Sequence, residues 1–239
     1  MSAPRIRRYT DRAAFVEAAA ADTIELMAAA IASRGACRIA LGGGSTPRPV
    51  YERIAQAGPA EGIDWTRVHI FFGDERCVPP EHEASNYRMA KEAMVDRIDR
   101  ERAPRVHRIT GEAPPAEAAR AYAAELGESP LDICLLGMGG DGHTASLFPG
   151  RPEAAERTAR VVAARSPVTP VDRVSLTLRA INEARAVRFW VTGEDKATRV
   201  AEVLREIASG EPALPAAQVQ PASGELAWFL DEAAARGVK

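Results

Sequence analysis

The stretch Leu131-Asp132-Ile133-Cys134-Leu135-Leu136-Gly137-Met138-Gly139-Gly140-Asp141-Gly142-His143-Thr144-Ala145-Ser146-Leu147-Phe148-Pro149 decides how this chain is read. Leu131 to Leu136 is apolar apart from Asp132, which predicts a buried strand. It runs into four glycines within six residues, Gly137 to Gly142. Such a backbone can turn tightly and approach a ligand closely. Asp141 and His143 stand two apart at the loop's exit. Strand, bare backbone, acid and histidine in that order are how an α/β enzyme sets a proton-transfer group at the carboxyl edge of its sheet.

Working outward, a second strand, Cys37 to Leu41, runs directly into Gly42-Gly43-Gly44-Ser45-Thr46-Pro47. Pro47 suits a first helical position, with Thr46 as the cap. Strand, glycine loop and helix start together predict an anion site of free N–H groups at the positive end of a helix. The loop lacks the terminal lysine of a nucleoside-triphosphate loop and the spacing of a dinucleotide fold. Three glycines and two hydroxyls exceed what a turn needs, so Gly43, Gly44, Ser45 and Thr46 are expected to hold a phosphate. A third strand, Val68 to Phe72, leads to Gly73-Asp74-Glu75-Arg76. These charges read either as a solvated turn or as part of the same edge.

The rest of the pattern agrees with an α/β architecture. Helices are expected from Thr10 or Asp11 to about Ser33, from Ser85 to about Ile98, from Pro114-Pro115 to near Gly127, and from Asp195 to Ala208. Further strands are expected at Val161 to Ala164, Val174 to Leu178, Ala186 to Val191 and Leu226 to Leu230. This alternation predicts an α/β fold with a parallel sheet covered by helices on both faces. No repeat or linker divides the chain, so residues 1–239 are read as a single domain.

A formal net charge of -2 over 239 residues offers no field for nucleic acid or an anionic membrane. Any bound anion must be held by local groups. The arginine-rich segment Met1 to Arg12 has no hydrophobic signal core behind it, and no apolar run is long enough to span a bilayer. Cys37 and Cys134 lie in apolar runs and read as small core residues in a reducing compartment, which points to the cytoplasm.

Of four histidines, His69 sits in a strand pattern, and His82 and His107 have no supporting context. His143 alone follows a glycine loop with an acid beside it. No second ligand lies at metal spacing, and no G-x-S-x-G elbow is present. General acid–base work on water remains. Arg173 and Lys196 read as surface cations unless an anion is near; a cation in the first turn of a helix opposes the dipole, which makes Lys196 informative.

These segments, in order, resemble the 6-phosphogluconolactonase family: Leu41 to Pro47, Phe72 to Arg76, Ser85-Asn86-Tyr87, Gly137 to Phe148, Arg173 to Leu178, Asn182 and Val191 to Lys196. The resemblance runs nearly end to end. It implies a Rossmann-like, mostly parallel α/β fold with helices on both faces, and hydrolysis of 6-phospho-D-glucono-1,5-lactone to 6-phospho-D-gluconate in the oxidative pentose phosphate pathway, without metal or organic cofactor. The superfamily also contains glucosamine-6-phosphate deaminases, in which a glutamate lies five residues past the histidine. Here that position is Phe148, and the arginine after Asp74-Glu75 also fits the lactonase pattern, which disfavours deamination. A sugar-phosphate sensor domain of a transcriptional regulator is disfavoured because no helix-turn-helix segment fits before the helix near Thr10.

On this reading His143 is the base, with Asp141, Asp74 and Arg76 as its catalytic partners. The phosphate lies on Gly43 to Thr46 with Arg173 and Lys196, and the lactone carbonyl points to the loop at Gly139 and Gly140. The expected partner is a small sugar-phosphate lactone, with no nucleic acid and no membrane, the chain acting as a monomer or homodimer.

Overall fold

The computed structural model describes residues 4–238. Its strands are β1 (Arg5–Tyr9), β2 (Cys37–Leu41), β3 (Val68–Phe72), β4 (Asp74–Arg76), β5 (Arg105–Val106), β6 (Ile133–Leu136), β7 (Val161–Arg165), β8 (Asp172–Leu176), β9 (Ala186–Val191) and β10 (Glu225–Asp231). The α-helices are α1 (Arg12–Arg34), α2 (Pro47–Ala57), α3 (Asn86–Ala93), α4 (Pro115–Leu126), α5 (Leu178–Asn182) and α6 (Ala197–Ser209).

Helix ends follow local chemistry. Asp11 accepts the Ala14 N–H at 2.8 Å to open α1, and Gly35, in the left-handed region, closes it. Ser85 accepts the Arg88 N–H to open α3. The central strands follow hydrophobicity: β6 and β9 are buried at every residue, as parallel strands covered on both faces must be. The one charge inside β9, Arg188, donates from Nε to Asp22 of α1 at 2.7 Å.

Seven strands form one parallel sheet in the order β1-β10-β9-β6-β2-β3-β5. From β2 the chain moves through β3 to β5 on one side. From β6 it moves through β9 to β10 on the other. The direction of winding therefore reverses between β2 and β6, which are hydrogen-bonded neighbours. At such a switch point the loops leaving adjacent carboxyl ends diverge and open a crevice. The two glycine loops leave from these two strands.

Several expectations are corrected. Arg5–Tyr9, within the arginine-rich segment where no strand is expected, is an edge strand paired with β10. Asp74 to Arg76 is a strand and not a loop. The β8 strand begins at Asp172 and ends at Leu176, and Leu178 opens α5 with Thr177 as its cap. The helix expected to reach Ile98 ends at Ala93 and gives way to a 3-10 turn at Val95–Arg97. Thr46 precedes α2 but makes no side-chain cap; its hydroxyl meets the Thr192 hydroxyl at 2.8 Å. A second sheet, antiparallel in the order β4-β8-β7, was not foreseen. Its pairing sets Asp74 opposite Ser175 and Arg76 opposite Arg173.

Candidate active site

A cleft of about 350 Å³ opens at the switch point, walled by the loops after β2, β3, β6 and β9 and by the small sheet. His143, Asp74, Arg76, Gly43, Gly44, Ser45, Thr46, Gly139, Arg173 and Lys196 all line it. Asp141 and Gly140 do not. Asp141 acts behind His143, and Gly140 faces Lys196, whose Nζ lies 3.8 Å from where a Gly140 Cβ would stand.

The glycine loop after β2 presents bare backbone. Among the described residues, none accepts from the N–H groups of Gly43, Gly44, Ser45 or Thr46. Such unpaired donors at the start of a helix suit an anion. Gly43 must be glycine, because a Cβ there would fall 2.0 Å from Asn86 Oδ1. Asn86 in turn donates from Nδ2 to the Asp74 carbonyl at 2.9 Å and to Asp74 Oδ1 at 3.2 Å.

The small sheet carries the charged wall. Side chains two apart on a strand share a face, so Asp74 and Arg76 of β4 project together, with Arg173 of β8 directly opposite Arg76. Asp74 is buried and accepts from Ser146 Oγ at 2.6 Å, which ties this sheet to the histidine loop. Ser146 N–H also donates to Ser175 Oγ at 3.1 Å. Glu75, on the other face, is not in the cleft. It accepts from the Arg76, Asn86 and Tyr87 N–H groups and from Ser85 Oγ. Burial pushes its carboxyl up, and those donors oppose the shift.

The two arginines share a shortage of partners. Arg173 is 5% exposed and forms no ion pair among the described residues. Its Nε and that of Arg76 are buried without an acceptor, and Arg76 otherwise donates to the Ala84 carbonyl. Burial, then the nearby Arg76 charge, lowers the Arg173 guanidinium from its usual range, while Asp74 and Glu75 oppose that effect. Two adjacent guanidiniums that no carboxylate bonds directly keep donors available to an anion entering the cleft. Lys196 ends a 3-10 turn just before α6 rather than lying inside its first turn. It meets exposed Asp195 at 2.9 Å, so part of its charge is already matched.

His143 is held on a short tether. Its Nδ1 lies 2.5 Å from Asp141 Oδ1, which also accepts the His143 backbone N–H at 3.1 Å. Burial alone would push the Asp141 carboxyl up; the amide and the imidazole of His143 outweigh it and bring it below its ordinary value. An ionised carboxylate can only accept, so Nδ1 carries the proton. In the neutral ring Nε2 is then a free base. Gly139 makes room for this ring: a Cβ there would stand 2.1 Å from His143 Cε1 and Nδ1.

The other histidines lie elsewhere. His69 and His107 bond to each other at 3.0 Å, and His107 also meets Glu125. Cys37 and Cys134 are fully buried, and burial pushes each thiol up to about 12. Among the described residues, no three His, Cys, Asp or Glu side chains are gathered as a metal would require.

A carboxylate-fixed histidine, an open glycine loop and two arginines that form no ion pair among the described residues thus line one cleft. Residues 10–228 match the family model of glucosamine-6-phosphate isomerases/6-phosphogluconolactonase. The chain belongs to this family. A human 6-phosphogluconolactonase is 42% identical over 232 residues, covering 88% of this chain and 87% of that one. A Synechocystis 6-phosphogluconolactonase is 36% identical over 247 residues, covering 99% of each. The solved 6-phosphogluconolactonase from Trypanosoma cruzi superposes with a TM-score of 0.86 at 28% identity, covering 100% of this chain and 98% of that chain.

Some residues of this family member's cleft were not anticipated. Ser146 and Asn86 hold Asp74. Arg199 donates from Nε to the Gly140 carbonyl at 3.1 Å and so braces the histidine loop from α6. Ser166 and Val168 enter the cleft from the β7–β8 turn. Ser146 and Asn86 lie inside motifs already singled out, so their neighbours carried a signal. Arg199 reads as an ordinary exposed helix residue and gave none.

Proposed function

We propose that this chain hydrolyses 6-phospho-D-glucono-1,5-lactone to 6-phospho-D-gluconate. The observation that carries the reading is the Asp141–His143 pair, with Nδ1 committed to the carboxylate and Nε2 left as a base in a cleft that also holds two arginines forming no ion pair among the described residues. The phosphate lies on the N–H groups of Gly43 to Thr46, with charge from Arg173 and Lys196.

Nε2 of His143 takes a proton from water as the water oxygen bonds to the lactone carbonyl carbon. The carbonyl π pair moves onto oxygen, where Arg76 or a loop N–H donates to it. As the tetrahedral intermediate collapses, the bond from that carbon to the ring oxygen breaks. The imidazolium returns the proton to the departing oxygen, which restores neutral His143. Asp141 holds the tautomer throughout and stabilises the charged ring. Asp74, fixed by Ser146 and Asn86, orients water or sugar hydroxyls. A δ-lactone is activated enough that no covalent nucleophile is required.

Proton release on adding freshly generated lactone, beside ammonia release from glucosamine 6-phosphate, tests the reading. Proton release without ammonia supports it, and the reverse would falsify it. His143→Ala should lower turnover about a hundredfold or more; an unchanged rate removes His143 from the base role. Arg173→Ala or Lys196→Ala should raise KM for the phosphorylated lactone and not for glucono-1,5-lactone. An equal penalty on both substrates would contradict the phosphate assignment.

A further inference from the structure

Phe148 closes the turn that follows His143. Leu147 N–H donates to the Thr144 carbonyl at 3.0 Å, and Arg151 N–H to the Phe148 carbonyl at 3.2 Å, so the backbone doubles back and fixes where residue 148 stands. Inside the Thr144–Leu147 turn, Ala145 takes φ 48°, the one positive φ outside glycine among the described residues. An L-residue adopts that conformation at a cost. The result is that the Phe148 ring lies 4.4 Å from the His143 ring, centroid to centroid, tilted by 42°.

Phe148 is only 7% exposed and lines the cleft, whereas its neighbour Leu147 is fully buried in the apolar core. Its ring is thus a wall of the cleft beside His143. His143 needs such a contact. One hydrogen bond, to Asp141, holds its Nδ1, and its side chain is 31% exposed. A single bond at one ring atom leaves the ring plane free to swing about it, whereas an aromatic face beside the ring sets that plane. Gly139, whose Cβ would collide with the same ring, leaves the space that the held orientation occupies.

We propose that Phe148 is a positioning residue for His143. Its ring holds the imidazole in the orientation that keeps Nδ1 on Asp141 and Nε2 toward the reacting water. This rests on the reading of His143 as the base. The test is kcat and KM on freshly generated lactone, corrected for spontaneous hydrolysis, for Phe148→Ala, Phe148→Leu, Phe148→Tyr, His143→Ala and the double variant His143→Ala/Phe148→Ala. Loss of the ring should lower kcat about tenfold, the size of an aromatic contact spent on the transition state, with KM within about twofold. Phe148→Tyr, which keeps the ring, should retain the rate.

Residues acting as one unit are not additive. Adding Phe148→Ala to His143→Ala should therefore cause no further loss. An equal fold-loss in both backgrounds, a KM rise matching the kcat fall, or an unchanged kcat in Phe148→Ala would each overturn the proposal. Should Phe148→Ala fail to fold, Phe148→Leu against Phe148→Tyr, alone and with His143→Ala, makes the same comparison. Full activity in His143→Ala alone would instead strike at the base assignment.

Discussion

At the scale of single residues, the site is built by pairing each reactive group with one that limits its freedom. His143 is limited by Asp141, Asp74 by Ser146 and Asn86, and the glycine loop by the Thr46–Thr192 contact. Asp141→Asn would set an amide against Nδ1, where its NH₂ can drive the ring to the tautomer with the proton on Nε2. Turnover should fall about a hundredfold or more with little change in KM; a KM rise matching the kcat loss would show that Asp141 instead touches substrate. The acid–histidine pair was legible in the sequence because two residues apart on a tight loop is a local relation. That Arg76 and Arg173 form no ion pair among the described residues was not, because it depends on everything that surrounds them.

At the scale of elements, Glu75 shows how a charged triplet can split its work. Alternation on β4 sends Asp74 and Arg76 into the cleft and Glu75 away from it, onto the first N–H groups of α3. Glu75→Gln must turn an NH₂ toward donors that now meet a carboxylate oxygen. It should destabilise the protein by about 1–3 kcal/mol, seen as a lower urea midpoint with the kcat of the folded fraction nearly unchanged. A midpoint equal to wild type would show that water can replace those bonds. Helices α1 and α3 were readable because Asp11, Gly35 and Ser85 act through their own neighbours in sequence. The β4 strand was not, since three charged residues carry no hydrophobic period and become a strand only by pairing with β8, far along the chain.

At the scale of the whole molecule, the buried pair Asp22–Arg188 joins the first helix to a central strand. Side-chain exposures are 7% and 3%, and Arg7 of β1 also reaches Asp22, at 3.0 Å. Asp22→Ala strands a buried guanidinium, with the more distant Glu225 at 3.3 Å and the Val187 carbonyl at 3.4 Å in compensation. A loss of about 3 kcal/mol is expected, measured by denaturant unfolding; a loss below about 0.5 kcal/mol would mean that Glu225 suffices.

The amino-acid sequence by itself determined the alternation of strands and helices, the two glycine loops, and the histidine with its acid. Each of these is written in periodicity or in residues a few positions apart. The tertiary structure decided which strands are neighbours. The reversal between β2 and β6 brings the two loops to one crevice, and the antiparallel pairing of β4 with β8 sets Arg76 against Arg173. It also decided that the Phe148 ring lies against the imidazole of His143. Those outcomes depend on contacts between segments far apart in the chain, which are settled by the packing of the whole sheet and by no local pattern.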